Sequence, residues 1–327
     1  MTRLHLPRRA LLAGAGLLAT PGLLRAQGNW PERPVRLVVP FTPGGSTDIL
    51  ARSLGAELQE EFGQPFVIEN RAGAGGTLGS EMVVRSPPDG YTLMMGHIGT
   101  LAVNPSLYRN LSFDTVTSFA PIVLVANVAN ILAVNTTKLP ITNVQELIAR
   151  AKAAPGTITY GSGGNGSAAH TAVVALCLAT GIELVHVPYR GTGPMMNDLI
   201  GGQIDMTMTG GPPILPPIRA GMLRAIGVSS LTRISSAADI PTLHEQGVTG
   251  FDAVQWYGLV APAGTPRPII DRINAASTKA LQSEKLKPRL AAEGADAAPG
   301  TPEQFRDLII AERERWGEVI RRANVTM

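Results

Sequence analysis

A strand that stops on glycines and restarts as a helix occurs twice in this chain. The copies lie about 120 residues apart, as VRLVVPFTPGGSTDIL from Val35 and as TITYGSGGNGSAAHTAVVAL from Thr157. Each begins with β-branched apolar residues, turns on clustered glycines and continues with helical apolar spacing. Parallel strands need such crossovers, so the unit implies an α/β sheet. The rest of the chain keeps the alternation. Strand patterns fall at 35–39, 66–69, 91–96, 157–161, 184–188, 204–209, 223–229 and 254–261. Helical patterns fall at 47–62, 79–85, 144–153, 167–180, 195–201, 215–220, 268–283 and 302–323. Two copies of the unit predict two lobes, each presenting one turn to a shared cleft. The long extended stretch at 120–135 and the one around 251–266 are the places where the chain can cross between lobes. The first lobe is therefore discontinuous, 29–126 plus 252–327, and the second is 127–251.

The first 26 residues stand apart. Arg3, Arg8 and Arg9 precede a short apolar run from Ala10 to Leu24, and Leu24-Arg25-Ala26 ends on a small residue. This pattern predicts a cleaved export signal. The Arg8-Arg9 pair fits the twin-arginine route. A 15-residue apolar run is short for a bilayer span, which needs about 20. The leader holds four of the 28 basic residues and none of the 25 acidic ones, leaving 24 against 25 and a charge of −1. The basic character of the whole chain therefore does not argue for nucleic-acid binding. Cys177 is the one cysteine and sits in a helical apolar run, where it reads as a small core residue.

The turns raise the functional question. After Phe41, the first turns on Gly44 and Gly45, with Ser46 or Thr47 expected as helix cap. A helix start offers unpaired backbone N–H groups and a partial positive charge, a natural place for an anion. Asp48, in the first turn, serves either the helix dipole or the ligand. The second turn contains Gly161-x-Gly163-x-x-Gly166, the spacing of a dinucleotide fingerprint. That fingerprint calls for an acidic residue at the end of the next strand. Here Glu183 lies at its start and Tyr189-Arg190 at its end. A plain glycine turn is a second reading. The favoured one is an oxyanion turn in which Ser162, Asn165, Gly166 and Ser167 present donors.

Other motifs say less. ENRAGAGGTLGSE resembles a phosphate loop but lacks the Gly-Lys-Ser/Thr ending. Its Arg71 can meet a ligand carboxylate or pair with Glu69 or Asp89. The chain has no G-x-S-x-G, and His97, His170, His186 and His244 lack metal-ligand spacing. His170 opens its helix and can reach the cleft or pack. His186 reads as a core histidine. Asp205, near a strand and a glycine-proline turn, is placed to orient a cleft loop or accept a ligand donor.

Nine segments together resemble the Bug-type extracytoplasmic solute receptors of the tripartite tricarboxylate transporter system. They are RLVVPFTPGGSTDILAR, VIENRAGAGGTLGSE, PDGYTLMMG, GTLAVNPSLY, GSGGNGSAAH, VHVPYRGTGPMMNDLIGGQIDM, IRAGMLRAIGVSS, IPTLHEQGVTGFD and WYGLVAPAGTP. The resemblance implies a two-lobed, type II-like periplasmic-binding-protein fold, each lobe a mixed, mostly parallel sheet flanked by helices. It implies a small carboxylate held in the cleft, with Phe41, Gly44, Gly45, Ser46, Thr47 and Asp48 on one side. Gly99, Thr100 and Asn104 form the neighbouring loop. Ser162, Asn165, Gly166, Ser167 and His170 form the second turn, and Tyr189 and Asp205 line the far side. It further implies a monomeric, periplasmic, non-enzymatic receptor with no cofactor or metal, delivering its ligand to membrane permease subunits. An exported α/β enzyme using Asp205 or His170 as base, or a sensor docking on a signalling membrane protein, are the alternatives. Three departures stand out: FTPGG in the first turn, His97-Ile98 before Gly99-Thr100, and the Gly/Pro-rich MTGGPPILPP. All lie around the distal cleft.

Overall fold

The computed structural model describes residues 30–323 apart from 109 and 293, together with residue 325. The expected leader at 1–26 lies outside them. The chain opens with β1 (Val35–Val39), α1 (Ser46–Phe62), β2 (Phe66–Asn70), α2 (Thr77–Val84), β3 (Thr92–His97), α3 (Asn104–Leu107) and the long β4 (Phe119–Val128). It continues as β5 (Asn130–Val134), α4 (Val144–Ala153), β6 (Thr159–Ser162), α5 (Ala168–Thr180), β7 (Val185–Pro188), α6 (Thr192–Ile200), β8 (Met206–Gly210), α7 (Gly211–Arg219) and β9 (Arg224–Val228). It returns as β10 (Gln255–Pro262), then α8 (Arg267–Leu281), α9 (Leu286–Ala292), β11 (Ala295–Ala297) and α10 (Pro302–Arg322).

Two sheets form. One has the order β11-β4-β10-β3-β1-β2, the other β7-β6-β8-β5-β9. β1 runs parallel to β2 and β3, and β6 parallel to β7 and β8. The crossing strands β10 and β5 pair antiparallel with their neighbours, as does β11 with β4. Both sheets are thus mixed, as the two-lobed α/β reading expects. Ridges of Leu50, Leu54 and Leu58 on α1, one helical turn apart, are buried with Leu37 and Val39 of β1. Phe305 of α10 is fully buried where Gly258 of β10 lets its ring approach, for a methyl there would lie 2.3 Å from Phe305 Cζ.

The stretch expected as one extended run at 120–135 is two strands. β4 belongs to the first sheet and β5 to the second, with Ala129 between them. Val128 still pairs with Gln255 and Ala295, so the first sheet reaches two residues past 126. The crossing is tied by buried polar groups. Asn130 Nδ2 donates to Ala253 O at 2.6 Å, Gln255 Nε2 to Asn130 Oδ1 at 2.5 Å, and Asn130 N to Ser229 Oγ at 2.9 Å. α7 starts at Gly211, four residues before the expected 215, because Pro212 and Pro213 fall in its first turn, where no N–H is needed. α9 and β11 carry too little periodicity to be anticipated.

Candidate functional site

The first turn leaves β1 at Val39 and reaches α1 through Gly44, whose φ of +85° suits glycine. The N-cap is Gly45, without a side-chain cap bond, rather than Ser46 or Thr47. Those two residues are the first helical positions instead. The earliest bonded amides of the helix are Asp48 N and Ile49 N, both donating to Gly45 O at 3.0 Å. The amides of Ser46 and Thr47 are therefore the orphan donors of this helix start.

Asp48 holds the turn in shape. Its carboxylate accepts from Gly44 N at 3.1 Å, Arg52 Nε at 3.0 Å and Asn70 Nδ2 at 3.0 Å. Asn70 also donates to Phe41 O at 3.0 Å. Burial pushes this carboxyl's pKa up, but the bonds from Arg52, Gly44 and Asn70 outweigh it and hold it below the usual value. These bonds give Asp48 a third role, beside the helix-dipole and ligand roles open to it in the sequence: it organises the loop.

The second turn is built alike. Gly164 and Gly166 take positive φ values of +114° and +78°. Ser167 is the N-cap of α5, its hydroxyl accepting from His170 N at 3.4 Å, while its own N–H donates to Gly164 O at 3.0 Å. The orphan amides here belong to Ala168 and Ala169. Gly166 N donates to His170 Nδ1 at 3.2 Å. Ser162, fully buried, shares its hydroxyl between Gly164 and His186 Nε2, the latter at 2.7 Å. Tyr160, His186 and His170 stack in sequence, with ring centroids 4.8 Å and 4.2 Å apart. Burial drives His170 down to about 4, and burial with the neighbouring His170 drives His186 to about 3. Both rings are neutral and serve as the packed floor of the turn.

The two helix starts meet in one chamber between the lobes. Gly45, Ser46 and Thr47 line it from one lobe, and Ser167, Ala168 and Ala169 from the other. Phe41, His97 and Tyr257 close it on the first-lobe side, and Gln255 adds a residue of the crossing. His97 stacks on Phe41 at 4.6 Å and meets Tyr257 edge-on at 5.7 Å. Its Nδ1 accepts from Gly99 N at 2.6 Å, so the proton of the neutral ring is on Nε2. Burial lowers its pKa to about 4. Thr100 is bound back to His97, donating to its O at 3.0 Å and accepting from its N at 3.1 Å. Gly99 matters for close approach. A methyl there would stand 2.5 Å from Gly166 O in the other lobe.

The lobes are in contact through glycines. A methyl on Gly191 would fall 1.7 Å from Thr42 Oγ1, one on Gly75 2.5 Å from Asn165 O, and one on Gly166 2.4 Å from Asn104 Oδ1. The chamber is accordingly tight, with about 30 Å³ of cavity volume. Phe41 and Gly163 also border a second, outer cavity of about 200 Å³. Its walls include Gly73 to Gly76, Tyr108, Asn165, Tyr189 and Arg190. The Tyr189 hydroxyl donates to Asp198 at 2.7 Å, and burial together with Asp198 pushes its pKa up to about 12.

Asp205 does not join this site. It lies at the amino end of β8, where its carboxylate accepts from Thr159 N and Thr159 Oγ1, each at 2.7 Å. β8 runs parallel to β6, so both strands bring their carboxyl ends, Ser162 and Gly210, toward the cleft and their amino ends away from it. The rule that ligands gather at carboxyl ends was the signal that excludes Asp205. Arg71 pairs with Glu69 at 2.6 Å rather than reaching the cavity. His97, Tyr108, Thr192, Gln255 and Tyr257 line the site without having been named as site residues from the sequence, although Tyr108, Thr192 and Tyr257 fall inside the family segments. Of these, only His97 stood out in the sequence, as a departure from the family pattern. Among the described residues no cluster of acidic, histidine or cysteine side chains suits a metal ion, and no helix is long and apolar enough to cross a membrane.

Comparison with known proteins places this geometry. The profile of the family described as "Tripartite tricarboxylate transporter family receptor" matches residues 50–325. Protein BugT of Bordetella pertussis is 37% identical over 322 residues, covering 98% of this chain and 97% of that protein. The solved structure of R. palustris Rpa4515 with adipate superposes with a TM-score of 0.89 at 37% identity, covering 91% of this chain and 100% of that one. The structure of the periplasmic binding protein BugD gives a TM-score of 0.87 at 36% identity, covering 91% and 100%.

Proposed function

Since the chain belongs to the tripartite tricarboxylate transporter receptor family, we propose that it captures a small carboxylate between its lobes and hands it to a membrane permease of that system. One observation carries the reading: two helix N-termini from different lobes open onto the same chamber, each with unpaired amides on its wall. Each start favours a nearby anion by roughly 0.3–1 kcal/mol when exposed and up to about 2 when partly buried. Backbone N–H bonds to a carboxylate are strengthened by its charge. Among the described residues no cation lines the chamber, so a reversible, dipole-held anion suits it better than a fixed ion pair. The donors converge only while the lobes touch, which couples ligand to closure about the Asn130–Gln255 crossing.

Two relatives point the same way. Rpa4515 was solved with adipate, a dicarboxylate, and BugD is a periplasmic binding protein. A periplasmic location also agrees with the export signal read in the first 26 residues. As for catalysis, the groups named as candidate bases are engaged: Asp205 by Thr159, and His170 Nδ1 by Gly166 N. The protein acts as a receptor, not an enzyme.

The test removes one unpaired amide from each start while sparing the helices. Proline is tolerated at the first helical position, where it deletes an N–H that the helix does not use. The preceding residues, Gly45 (φ −87°, ψ 168°) and Ser167 (φ −64°, ψ 156°), already have the extended backbone that proline demands. Ser46→Pro combined with Ala168→Pro is expected to keep the unliganded melting temperature within a few degrees and to reduce sharply the shift given by carboxylates. A panel of mono-, di- and tricarboxylates, aromatic acids, sugars and amines supplies the ligands. Undiminished carboxylate shifts in the double variant, or shifts from sugars and amines alone, defeat the reading.

A further inference from the structure

Three buried polar atoms at the contact between the lobes have no partner. Thr42 Oγ1, Asn104 Oδ1 and Tyr108 Oη are sealed from solvent and unbonded among the described residues. Each belongs to the first lobe and stands where the second lobe comes closest. Thr42 Oγ1 lies against Gly191 and Asn104 Oδ1 against Gly166, so near that a methyl on either glycine would fall 1.7 Å and 2.4 Å from them. Tyr108 Oη sits in the wedge where Gly75 meets the second turn. A methyl on Gly75 would be 2.6 Å from that oxygen and 2.5 Å from Asn165 O. The facing glycines have no side chain to offer, and the Gly166 amide is already committed to His170 Nδ1. Asn104 shows the asymmetry most plainly. Its Nδ2 donates to Gly75 O at 3.0 Å within its own lobe, while its Oδ1 meets the other lobe unpaired.

A polar atom that loses water and gains no partner keeps its full desolvation penalty. When the lobes part, all three atoms face the open cleft and regain water, so the penalty falls on the closed form alone. One such group weakens an equilibrium by about fivefold or more. Three together disfavour closure by about 100-fold, which puts the closed fraction inside the roughly 0.1–10% of a minor state that a ligand can select.

We propose that Thr42, Asn104 and Tyr108 form a built-in opening device: closing the lobes strips them of water and gives nothing back, so the unliganded receptor stays open and the closed form lasts only while a ligand offsets the loss. This rests on the ligand-coupled closure above, and it assigns release to groups that oppose closure rather than to groups that hold the ligand. It also runs against the usual effect of truncation, since deleting these oxygens should strengthen binding.

Matched substitutions test it. Tyr108→Phe deletes one orphaned oxygen. Thr42→Ala and Thr42→Ser lose the same methyl and differ only in the hydroxyl, so comparing them isolates that oxygen. Ser277→Ala is the control: its Oγ is also buried without a partner, but on α8 inside the first lobe, where opening leaves it buried. Single-molecule energy transfer, with one dye on each lobe, counts the closed fraction of the unliganded protein. That fraction is expected to rise about fivefold in Tyr108→Phe, and to about a fifth of molecules when Thr42→Ala is added. Titration with the acids named above, adipate included, should show Tyr108→Phe binding about fivefold more tightly than wild type, and Thr42→Ala about fivefold more tightly than Thr42→Ser, in both cases through slower release. Ser277→Ala should raise the melting temperature and change neither quantity. Unchanged or weaker binding in Tyr108→Phe, with Thr42→Ala equal to Thr42→Ser, overturns the device while leaving carboxylate capture intact. Equal gains in Ser277→Ala overturn it as well, because the effect then belongs to general stability. If wild-type protein binds no acid, carboxylate capture falls, and the closed fractions alone decide the device.

Discussion

Lobe contact through Gly191 offers the sharpest quantitative test of closure. Gly191 precedes α6 in the second lobe and faces Thr42 of the first-lobe turn. In Gly191→Ala the new methyl would lie 1.7 Å from Thr42 Oγ1, 2.8 Å from its Cβ and 3.1 Å from its Cγ2. Carbon and oxygen need about 3.5 Å, so the lobes must part there by roughly 2 Å. Overpacking of this kind costs about 1–3 kcal/mol, and here the closed form alone bears it. Affinity should fall by about 5- to 150-fold at 1.4 kcal/mol per decade. The backbone at Gly191, with φ of +155°, also disfavours alanine, but in open and closed forms alike, so that part lowers melting temperature without changing affinity. Thr42→Gly separates the two effects. It removes all three clashing atoms, so the double variant should regain most of the lost affinity and keep the lower melting temperature. Titration calorimetry measures the cycle, and small-angle scattering reads the radius of gyration with and without ligand. Wild-type affinity in Gly191→Ala, or a loss that Thr42→Gly does not relieve, would refute the idea that the ligand-bound form has these lobes in contact.

Two further expectations follow from the buried polar groups. His97 and His170, held down to about 4, and His186, held to about 3, are neutral when folded but gain protons near pH 6.5 when unfolded. Their contribution is fully present above pH 6.5 and is lost as pH falls toward 4; at pH 5, His97 alone accounts for roughly 2 kcal/mol. The melting temperature should drop steeply between pH 6.5 and 4.5, less steeply in His97→Gln, and a flat profile would contradict the neutral state of these three buried rings. Asp205→Ala should destabilise the fold by about 1–3 kcal/mol by stripping Thr159 of its acceptor. It should leave ligand affinity unchanged; a large affinity loss measured by calorimetry would return Asp205 to the site.

Local rules carried much of this protein in its sequence. Alternating strands and helices, glycines wherever φ turns positive at Gly44, Gly164 and Gly166, and two helices opening after glycine turns are all readable because they depend on neighbours a few residues away. The nine family segments made the two-lobed fold and the receptor role legible as well. Tertiary structure alone decided what those pieces face. The Gln255–Asn130 bond joins residues 125 apart, and the Trp256–Glu312 bond joins residues 56 apart. The same long-range folding brought His97, Tyr257 and Gln255 around two helix starts and put Tyr108 beside Gly75. Register did the rest. Parallel pairing of β8 with β6 sent Asp205 to the end away from the cleft, and capping by Gly45 instead of Ser46 or Thr47 left the free amides of the first helix on Ser46 and Thr47. Spacing along a chain specifies backbone conformation, whereas the direction in which a side chain or an amide points depends on packing between elements far apart in it.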